Sequence, residues 1–486
     1  MQHRSASAAP QADHFDPRSN RRSFALQGSM DMRTIACLVV LALALTTALA
    51  QVPRVESGTD ESARWQRYNE WKFGMFIHWG PYSLASVEAS WPIMTPGGEE
   101  QGPDRTVISE ADYRKLPAKF NPASYDPREW VRLAQRAGQR YMVFTSKHHD
   151  GFCMFDSAYT EYKITRTPYG KDVAAMLAAA AREQNMPLGF YYSPPDMNHP
   201  GFRDTAKPAS ANWRGEPWRA EWPLYLDYME LQLTELMTRY GSVAVVWFDG
   251  LEERRKYDGY RFHRLIRELQ PGTLINNRIG LPGDFSTPEQ RIPKGIPTRG
   301  GTVGATNPAD DAGLSAQVPS PGDFQPWETC MTINDTWAYN RNDRNFKPAS
   351  ELIRTLVEVA SLGGNLLLNV GPTPEGTIQP EFEERLLAIG AWFKTNGEAI
   401  YGTTYGPWQN LPFGRTTAKG NIIYLHVFQW PGASLTVPAT GIKVGKVTLL
   451  AGRRPLEFSQ NGSSVVIKLP PDAPDPSVSV LSIETR

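Results

Sequence analysis

Cysteine is scarce in this sequence, and neither sign of charge is in excess. The 486 residues include three cysteines, Cys37, Cys153 and Cys330, and no C-x-x-C pair. So few and so widely spaced cysteines predict neither a disulfide scaffold nor a zinc site. Lysine and arginine number 51 and are matched by 51 acidic residues, so the positive excess typical of nucleic-acid-binding proteins is missing. We therefore expect no nucleic-acid partner, and whether Cys153 pairs with Cys330 is left open.

Long apolar runs are also missing, apart from one near the start of the chain. A Met-Arg pair precedes an apolar run at 35–45 and an A-x-A site that ends at Ala50. These features are typical of a secretory signal peptide, and the run is shorter than the ~20 residues of a membrane helix. We expect an N-terminal extension over 1–50 with the signal peptide at about 30–50. The mature protein is then secreted or periplasmic without a membrane span, and a membrane-tethered form is the alternative.

Aromatic residues, in contrast, are abundant. The chain has 14 Trp, 19 Tyr and 20 Phe, which together make up 11% of its residues. The apolar face of a pyranose ring stacks on such rings, so this content fits sugar binding, although a large core uses Trp in the same way. The length exceeds the ~250–300 residues at which a single core stops growing, which predicts two domains.

Most of the chain alternates short apolar runs with helix patterns. The runs, which suit strands buried on both faces, lie at 73–78, 141–145, 188–192, 243–248, 274–277 and 365–370. Helix patterns lie near 126–138, 172–184, 222–240, 257–269, 349–362 and 380–396. This alternation predicts an α/β fold, a (β/α)8-like TIM barrel over residues 51–402. An open doubly wound sheet is the alternative, weakened by the lack of a G-x-G-x-x-G motif after the first strand.

The pattern changes after Gly402. Short alternating runs at 421–427, 446–450 and 464–469 are separated by Gly, Pro and Asn, and no helix pattern follows. This predicts an antiparallel β-sandwich over 403–486. A Pro- and Gly-rich loop at about 293–326 is longer than ordinary connections, so we expect it to be functional or mobile.

Polar side chains follow several of the predicted barrel strands, where the catalytic groups of such barrels lie. They are His78, His148, His149, Asp150, Tyr191, Asp249, Arg278 and Glu289. Asp249 follows six apolar residues, which predicts a carboxylate held rigidly at the barrel mouth, as a nucleophile requires. The alternative is an aspartate that caps the next helix.

The histidines suit the hydroxyl groups of a sugar, because a neutral imidazole both donates and accepts hydrogen bonds. His148 and His149 point in opposite directions if the strand continues, but a twist at its end brings both to one pocket. Structural roles in the core are one alternative, and metal binding is another. A metal-dependent barrel hydrolase has an H-x-H motif on its first strand, whereas Gly80 stands two residues after His78. We expect no metal and no cofactor.

Glycoside hydrolysis by acid/base chemistry needs a second carboxylate. The candidates are Glu289, Glu328 and Glu88. Retention of configuration requires two carboxyl groups ~5 Å apart, whereas inversion requires a wider gap. The spacing of residues along the chain does not give this distance, so the residues alone leave the choice open.

Four motifs occur in a characteristic order: FGMFIHWG at 73–80, SKHHDGF at 146–152, WFDG at 247–250 and GGNLLLNVGP at 363–372. In order and spacing they resemble the signatures of α-L-fucosidases of glycoside hydrolase family 29, and the resemblance covers about residues 65–405. It implies a (β/α) barrel followed by a β-sandwich. It also implies a retaining exo-glycosidase that removes terminal α-L-fucose from oligosaccharides or glycoconjugates through a covalent glycosyl-enzyme intermediate, without a cofactor.

The resemblance assigns roles to individual positions. Asp249 matches the nucleophile, and Glu289 matches the position at which several members carry the acid/base. The positions that match contacts to fucose are His78, His148, His149, Tyr191, Trp247 and Arg278. Many relatives have Glu-Trp after the first strand, whereas here Glu88-Ala89 precedes Ser90-Trp91, as in another branch of the family. Glu88 and Trp91 are therefore matched as sugar ligands, and Glu328 as a supporting residue.

Two alternatives to this activity remain at this point. One is a fucose-binding lectin built on an inactive barrel. The other is an enzyme for α-L-galactose, in which a C6 hydroxyl replaces the methyl group of fucose. Linkage preference and oligomeric state are left open by the sequence.

Overall fold

The computed structural model describes residues 61–98, 106–250, 256–304, 308–409 and 411–486, which belong to one compact unit. The predicted extension and signal peptide at 1–50 lie outside the described residues. Within the described ranges, no helix is both long enough and apolar enough to cross a membrane.

The first sheet has seven parallel strands and forms the barrel that the sequence predicts. In chain order they are β1 (Phe73–Ile77), β2 (Tyr141–Lys147), β3 (Leu188–Tyr192), β4 (Val245–Phe248), β5 (Leu274–Ile275), β8 (Glu328–Thr332) and β9 (Asn365–Val370). They pair in the order β5-β4-β3-β2-β1-β9-β8. Nearly all their residues are buried, because the curled sheet is covered inside and outside.

An irregular segment at 284–290 fills the gap between β5 and β8. Single parallel bridges join Asn276 to Phe285, Ser286 to Trp327, and Glu289 to Cys330. The segment contains Pro288, which cannot donate a hydrogen bond to a neighbouring strand, so a regular ladder does not form. This barrel-closing segment takes the eighth strand position, and its polar, proline-containing sequence is why no strand is predicted there.

The helices follow the barrel strands as predicted, with ends within two or three residues of the predicted ones. They are α1 (Glu61–Trp71), α2 (Trp91–Met94), α3 (Glu110–Tyr113), α4 (Pro127–Arg136), α5 (Val173–Glu183), α6 (Trp222–Arg239), α7 (Gly259–Leu269), α8 (Ala349–Ser361) and α9 (Pro380–Asn396). The Asp126 carboxylate caps α4 by accepting the N–H of Arg128, and Gly138 ends it with φ of +85°. The helices α1, α2 and α3 and the strand β8 are additions to the prediction.

The long loop after the barrel-closing segment contains a hairpin of β6 (Ile296–Thr302) and β7 (Ala312–Ser315). The connecting end of the hairpin is held by Arg291, whose guanidinium donates two hydrogen bonds to the carboxylate of Asp311. The predicted irregular loop is therefore partly structured.

The C-terminal part is the predicted antiparallel β-sandwich. Its strands are β10 (Thr404–Tyr405), β11 (Gly414–Lys419), β12 (Ile422–Val427), β13 (Ser434–Pro438), β14 (Val444–Leu449), β15 (Arg454–Pro455), β16 (Phe458–Asn461), β17 (Ser464–Lys468) and β18 (Ser479–Thr485). One sheet has the order β10-β11-β12-β18-β14-β15 and the other β13-β17-β16. The indole N–H of Trp392 in α9 donates to the Val478 carbonyl 2.9 Å away, which ties the sandwich to the barrel.

The two cysteines left open by the sequence are both free and buried. Burial raises the pKa of the Cys153 thiol to about 12 and also raises the pKa of Cys330. Both thiols are therefore protonated and shielded in the folded protein.

We expect Cys153 and Cys330 to resist alkylation in the native protein and to react fully after unfolding without a reductant. Mass spectrometry of peptides after iodoacetamide treatment at pH 8 measures both states. A variant with Ser at both positions serves as the blank. Recovery of a Cys153–Cys330 disulfide peptide would contradict the structure.

Candidate active site

The predicted site residues converge at the edge of the barrel formed by the carboxyl ends of the strands. Successive strands contribute His78 after β1, His148 and His149 after β2, Tyr191 within β3, Asp249 after β4, Arg278 after β5 and Glu289 at the end of the barrel-closing segment. Parallel strands place their carboxyl ends at the same rim, which brings together residues far apart in the sequence.

The backbone around Asp249 is fixed by Asn276 and Arg278, which follow β5. The Asn276 side chain accepts the N–H of Phe248 and donates to its carbonyl, both at 2.9 Å. The Gly250 N–H donates to the Arg278 carbonyl at 3.0 Å, and a Cβ at Gly250 would approach that oxygen to 2.3 Å. Glycine therefore follows Asp249 because the two chains approach too closely for a side chain.

The Asp249 carboxylate accepts hydrogen bonds from two neighbouring strands. The Tyr191 hydroxyl donates to Oδ2 at 2.8 Å, and Arg278 Nη1 donates to Oδ1 at 3.0 Å. His149 Nε2 lies 3.5 Å from Oδ2. Burial alone would raise the pKa of Asp249, but Arg278, His149 and Tyr191 outweigh it and hold the pKa below its usual value. The carboxylate is thus ionised at the barrel mouth, and the Asp258 side chain, rather than Asp249, caps the next helix.

Arg278 links Asp249 to Glu289. Its Nη1 donates to Asp249 Oδ1 at 3.0 Å and to Glu289 Oε2 at 2.8 Å, so these two oxygens lie no more than 5.8 Å apart. Its Nε donates to the Thr287 hydroxyl and its Nη2 to the Thr287 carbonyl, both at 2.9 Å. This bound on one pair of oxygens is compatible with the ~5–5.5 Å between the two carboxyl groups of retaining glycosidases.

His78 presents a hydrogen-bond acceptor to the mouth. Its Nδ1 lies 2.8 Å from Asn369 Oδ1, and Asn369 Nδ2 donates to the Trp337 carbonyl at 2.7 Å. Because Nδ2 of Asn369 donates to Trp337, it is the carbonyl oxygen of the Asn369 amide that faces His78. Nδ1 of His78 therefore carries the proton, and Nε2 of the neutral ring can accept a hydrogen bond. Burial lowers the pKa of His78 to about 4, which keeps the ring neutral at ordinary pH.

His148 and His149 both reach the mouth because β2 ends at Lys147 and the chain turns. Their ring centroids are 4.3 Å apart. His148 Nδ1 bonds the Ser90 hydroxyl at 2.7 Å, and His149 Nδ1 bonds the Ser193 hydroxyl at 2.6 Å. Burial lowers the pKa of both rings, that of His149 to about 4, so both are neutral. The predicted twist at the strand end is confirmed.

Aromatic rings form the walls around these groups. Trp247 stacks on Tyr191 with centroids 5.7 Å apart, and the Arg278 guanidinium lies 4.7 Å above the Trp247 ring. The Trp91 ring packs edge-on against His149 at 5.8 Å. Trp337 lies 5.0 Å from His78 on the other side. Apolar faces and polar edges therefore alternate, as a pyranose ring requires.

Two of the three candidate carboxylates do not face Asp249. Glu328 begins β8 and lies at the opposite end of that strand from the mouth, where it accepts the indole N–H of Trp247 at 2.9 Å and the hydroxyl of Tyr141. Glu88 is buried and accepts the backbone N–H groups of Trp337 and Ala338 at 2.7 and 2.9 Å. Both hold aromatic walls in place, and Glu289 is the candidate that shares Arg278 with Asp249.

Comparison with known proteins agrees with this geometry. The profile of the α-L-fucosidase family matches residues 43–398. The chain belongs to the α-L-fucosidase family. Plasma α-L-fucosidase of Rattus norvegicus is 30% identical over 446 residues, covering 87% of this chain and 91% of the relative. The α-L-fucosidase of Branchiostoma floridae is 29% identical over 427 residues, covering 83% and 88%.

Solved structures of α-L-fucosidases share the fold. Isoenzyme 1 from Paenibacillus thiaminolyticus has a TM-score of 0.75 and 33% identity over 88% of this chain and 99% of its own. A family 29 enzyme from Bacteroides thetaiotaomicron, captured as a covalent intermediate with 2-fluoro-fucosyl fluoride, has a TM-score of 0.70 and 26% identity over 90% and 99%. The fucosidase described here is a retaining exo-glycosidase that removes terminal α-L-fucose from fucosylated substrates through a covalent glycosyl-enzyme intermediate.

Several residues that shape the fucosidase site are absent from the prediction. They are Ser90, Ser193, Trp213, Trp337 and Asn369, which orient histidines or extend the aromatic wall. Asn369 carries a readable signal, because it is a polar residue inside the apolar run 365–370. The serines lie in loops, where nothing in the sequence distinguishes them from solvated residues. Among the described residues, no three or more His, Cys, Asp and Glu side chains are grouped to hold a metal ion.

The bond between Asn369 and His78 predicts a pH effect. In Asn369→Asp, a carboxylate facing Nδ1 should raise the pKa of His78 by about one to two units. His78 then takes up a proton at mildly acidic pH and loses the acceptor on Nε2. We expect the acidic limb of the kcat/KM profile for 4-nitrophenyl α-L-fucoside to move toward neutral pH by a similar amount.

Asn365→Asp is a matched control for this experiment, because Asn365 is equally buried at the opposite end of the same strand. It should leave the position of the acidic limb unchanged. An unchanged limb in Asn369→Asp, with activity retained, would show that His78 does not control it.

Proposed function

We propose that Asp249 is the nucleophile and Glu289 the acid/base of the fucosidase reaction. The observation that carries this assignment is the single nitrogen of Arg278 that contacts both carboxylates and limits their oxygens to a separation of 5.8 Å. A sugar whose C1 sits at this pair has one carboxylate on each side of the bond to be cleaved, as double displacement requires.

In the first step, Asp249 attacks C1 as the bond between C1 and the leaving oxygen breaks, and the proton of Glu289 moves to that oxygen. The product is a β-linked fucosyl ester of Asp249. In the second step, Glu289 takes a proton from water, the water oxygen bonds to C1, and the ester bond breaks. Two inversions give α-L-fucose, so configuration is retained.

The surrounding side chains are proposed to bind the sugar. His78, His148, His149, Tyr191 and Arg278 supply hydrogen bonds to hydroxyl groups, and Trp247 and Trp91 supply apolar contacts. Each of these neutral imidazoles uses Nδ1 to contact a protein side chain and leaves Nε2 for a hydroxyl group of the sugar. Glu88 supports sugar binding indirectly, since its carboxylate accepts the backbone N–H groups of Trp337 and Ala338 and so holds the Trp337 ring beside the site.

We also propose that the chain is exported. The signal-peptide pattern at about 30–50 is the main support. The rat and human relatives named plasma α-L-fucosidase, 30% and 29% identical, agree with it.

Asp249→Ala should lower kcat for 4-nitrophenyl α-L-fucoside by about 10³-fold or more, because the covalent intermediate can no longer form. Added azide should restore part of the activity by attacking C1 from the vacated side, which gives β-L-fucosyl azide. Rates and product configuration by NMR test this expectation.

Asp227→Ala, which removes a surface carboxylate of α6, is the matched control and should keep wild-type rates. Near-normal turnover in Asp249→Ala, or an α-configured azide product, would defeat the assignment of the nucleophile.

Glu289→Ala should lose about 10²–10⁴-fold in kcat/KM on fucosides with poor leaving groups and much less on 2,4-dinitrophenyl α-L-fucoside, because a good leaving group departs without a proton. Azide should attack the fucosyl ester from the side of Glu289 and give α-L-fucosyl azide. Glu381→Ala, on the surface of α9, is the control. Equal losses on good and poor leaving groups would exclude Glu289 as the acid.

A further inference from the structure

The residue directly after Glu289 has an unusual backbone conformation. Gln290 has φ of +55°, in the left-handed region that residues other than Gly, Asn and Asp rarely adopt. Such a conformation costs about 1–2 kcal/mol and persists where the surroundings enforce it. Strain of this kind next to a predicted catalytic group calls for a physical cause.

Three hydrogen bonds hold Gln290 to β8. Its backbone N–H donates to the Cys330 carbonyl at 2.9 Å. Its side-chain Nε2 donates to the Thr332 hydroxyl at 3.0 Å, and its Oε1 accepts the Thr332 N–H at 3.2 Å. Thr332 is the buried last residue of β8, so the amide of Gln290 clamps the end of that strand.

The clamp lies where the barrel-closing segment is weakest. Pro288 removes one donor from the segment, and the Cys330 N–H reaches the Pro288 carbonyl at 3.3 Å. The segment is held to β8 before Pro288 by the Glu328 N–H, which donates to the Ser286 carbonyl at 2.9 Å. After Pro288, the bonds of Gln290 hold the register of Glu289 against Cys330. In extended chain, a slip by one residue turns a side chain to the opposite face, which would take the Glu289 carboxylate away from Arg278.

We propose that Gln290 is a positioning residue for Glu289. Its side-chain amide and left-handed backbone end the barrel-closing segment at β8 and fix the face on which the Glu289 carboxylate emerges, 2.8 Å from Arg278. Gln290 itself touches none of the reacting atoms. This inference rests on the proposed role of Glu289 as the acid/base.

The test compares leaving groups in Gln290→Ala and Gln290→Gly. Alanine removes the amide and keeps the strain, whereas glycine removes the amide and relieves the strain. For both variants we expect kcat/KM to fall about tenfold on a fucosyl disaccharide, because proton transfer needs accurate placement. On 2,4-dinitrophenyl α-L-fucoside, which leaves without a proton, the change should be less than twofold.

Two further variants separate positioning from folding. Thr332→Val keeps the backbone N–H but removes the hydroxyl partner of Nε2, and it should show a smaller loss with the same leaving-group pattern. Asn185→Ala alters a non-glycine residue with φ of +54° at the end of α5, away from the site. Asn185→Ala should change kcat/KM by the same factor on both substrates. Melting temperatures show whether each variant folds.

Equal losses of kcat/KM on both substrates, or wild-type rates in Gln290→Gly, would overturn the positioning role. Glu289→Ala measured in the same series keeps the two proposals apart. If Glu289→Ala shows the leaving-group pattern and the Gln290 variants do not, the inference about Gln290 fails alone. If Glu289→Ala lacks the pattern, the assigned acid/base is wrong.

Discussion

The guanidinium of Arg278 is the interaction on which the rest of the site depends. Two carboxylates within 5.8 Å of each other repel strongly in a buried setting, and a cation between them offsets that repulsion. The two carboxylates in turn outweigh burial and hold the pKa of Arg278 above its ordinary value. Arginine suits this place better than lysine, because its planar fork also donates to Thr287 on the far side.

Arg278 also couples the site to the barrel core. Its guanidinium lies over the Trp247 ring, whose indole N–H is bound by Glu328 below. The charges of the proposed catalytic pair therefore rest on an aromatic layer that is anchored by a carboxylate deeper in the barrel. This layering lets the mouth be polar while each polar group keeps a partner, which a buried site requires.

The barrel could be predicted largely because its strands are buried on both faces and read as unbroken apolar runs. The strand β8 does not follow that rule, since Glu328, Thr329 and Thr332 are polar residues that find hydrogen-bond partners within the protein. The barrel-closing segment is not an unbroken apolar run either, and Pro288 prevents it from forming a regular ladder of hydrogen bonds. Buried polar strands look like loops in a sequence.

The choice among the three candidate acids shows the same limit. Asp249 is identifiable from its strand, since an acid after six apolar residues must emerge at the rim. Glu328 and Glu289 lie at opposite ends of the barrel. Which end each occupies depends on the register of β8 and the barrel-closing segment, and neither has an apolar pattern from which the register could be predicted. The distance between two side chains on different strands depends on how the barrel closes. The spacing of residues along the chain does not give that distance.

Environment, rather than residue type, then separates the acids of the barrel into two classes. Burial raises the pKa of Glu88 and of Glu328 to about 7, because their partners are backbone amides, an indole and hydroxyls, which only partly offset the loss of water. Asp249 lies at the mouth with 16% of its side chain exposed, and its pKa is lowered because Arg278 touches it. Asp249 is therefore charged and able to attack, whereas Glu328 and Glu88, which brace Trp247 and Trp337, serve as hydrogen-bond acceptors. Contact with Arg278 thus distinguishes Asp249 from the two acids that hold the aromatic walls, which fits the proposed role of Asp249 as the nucleophile.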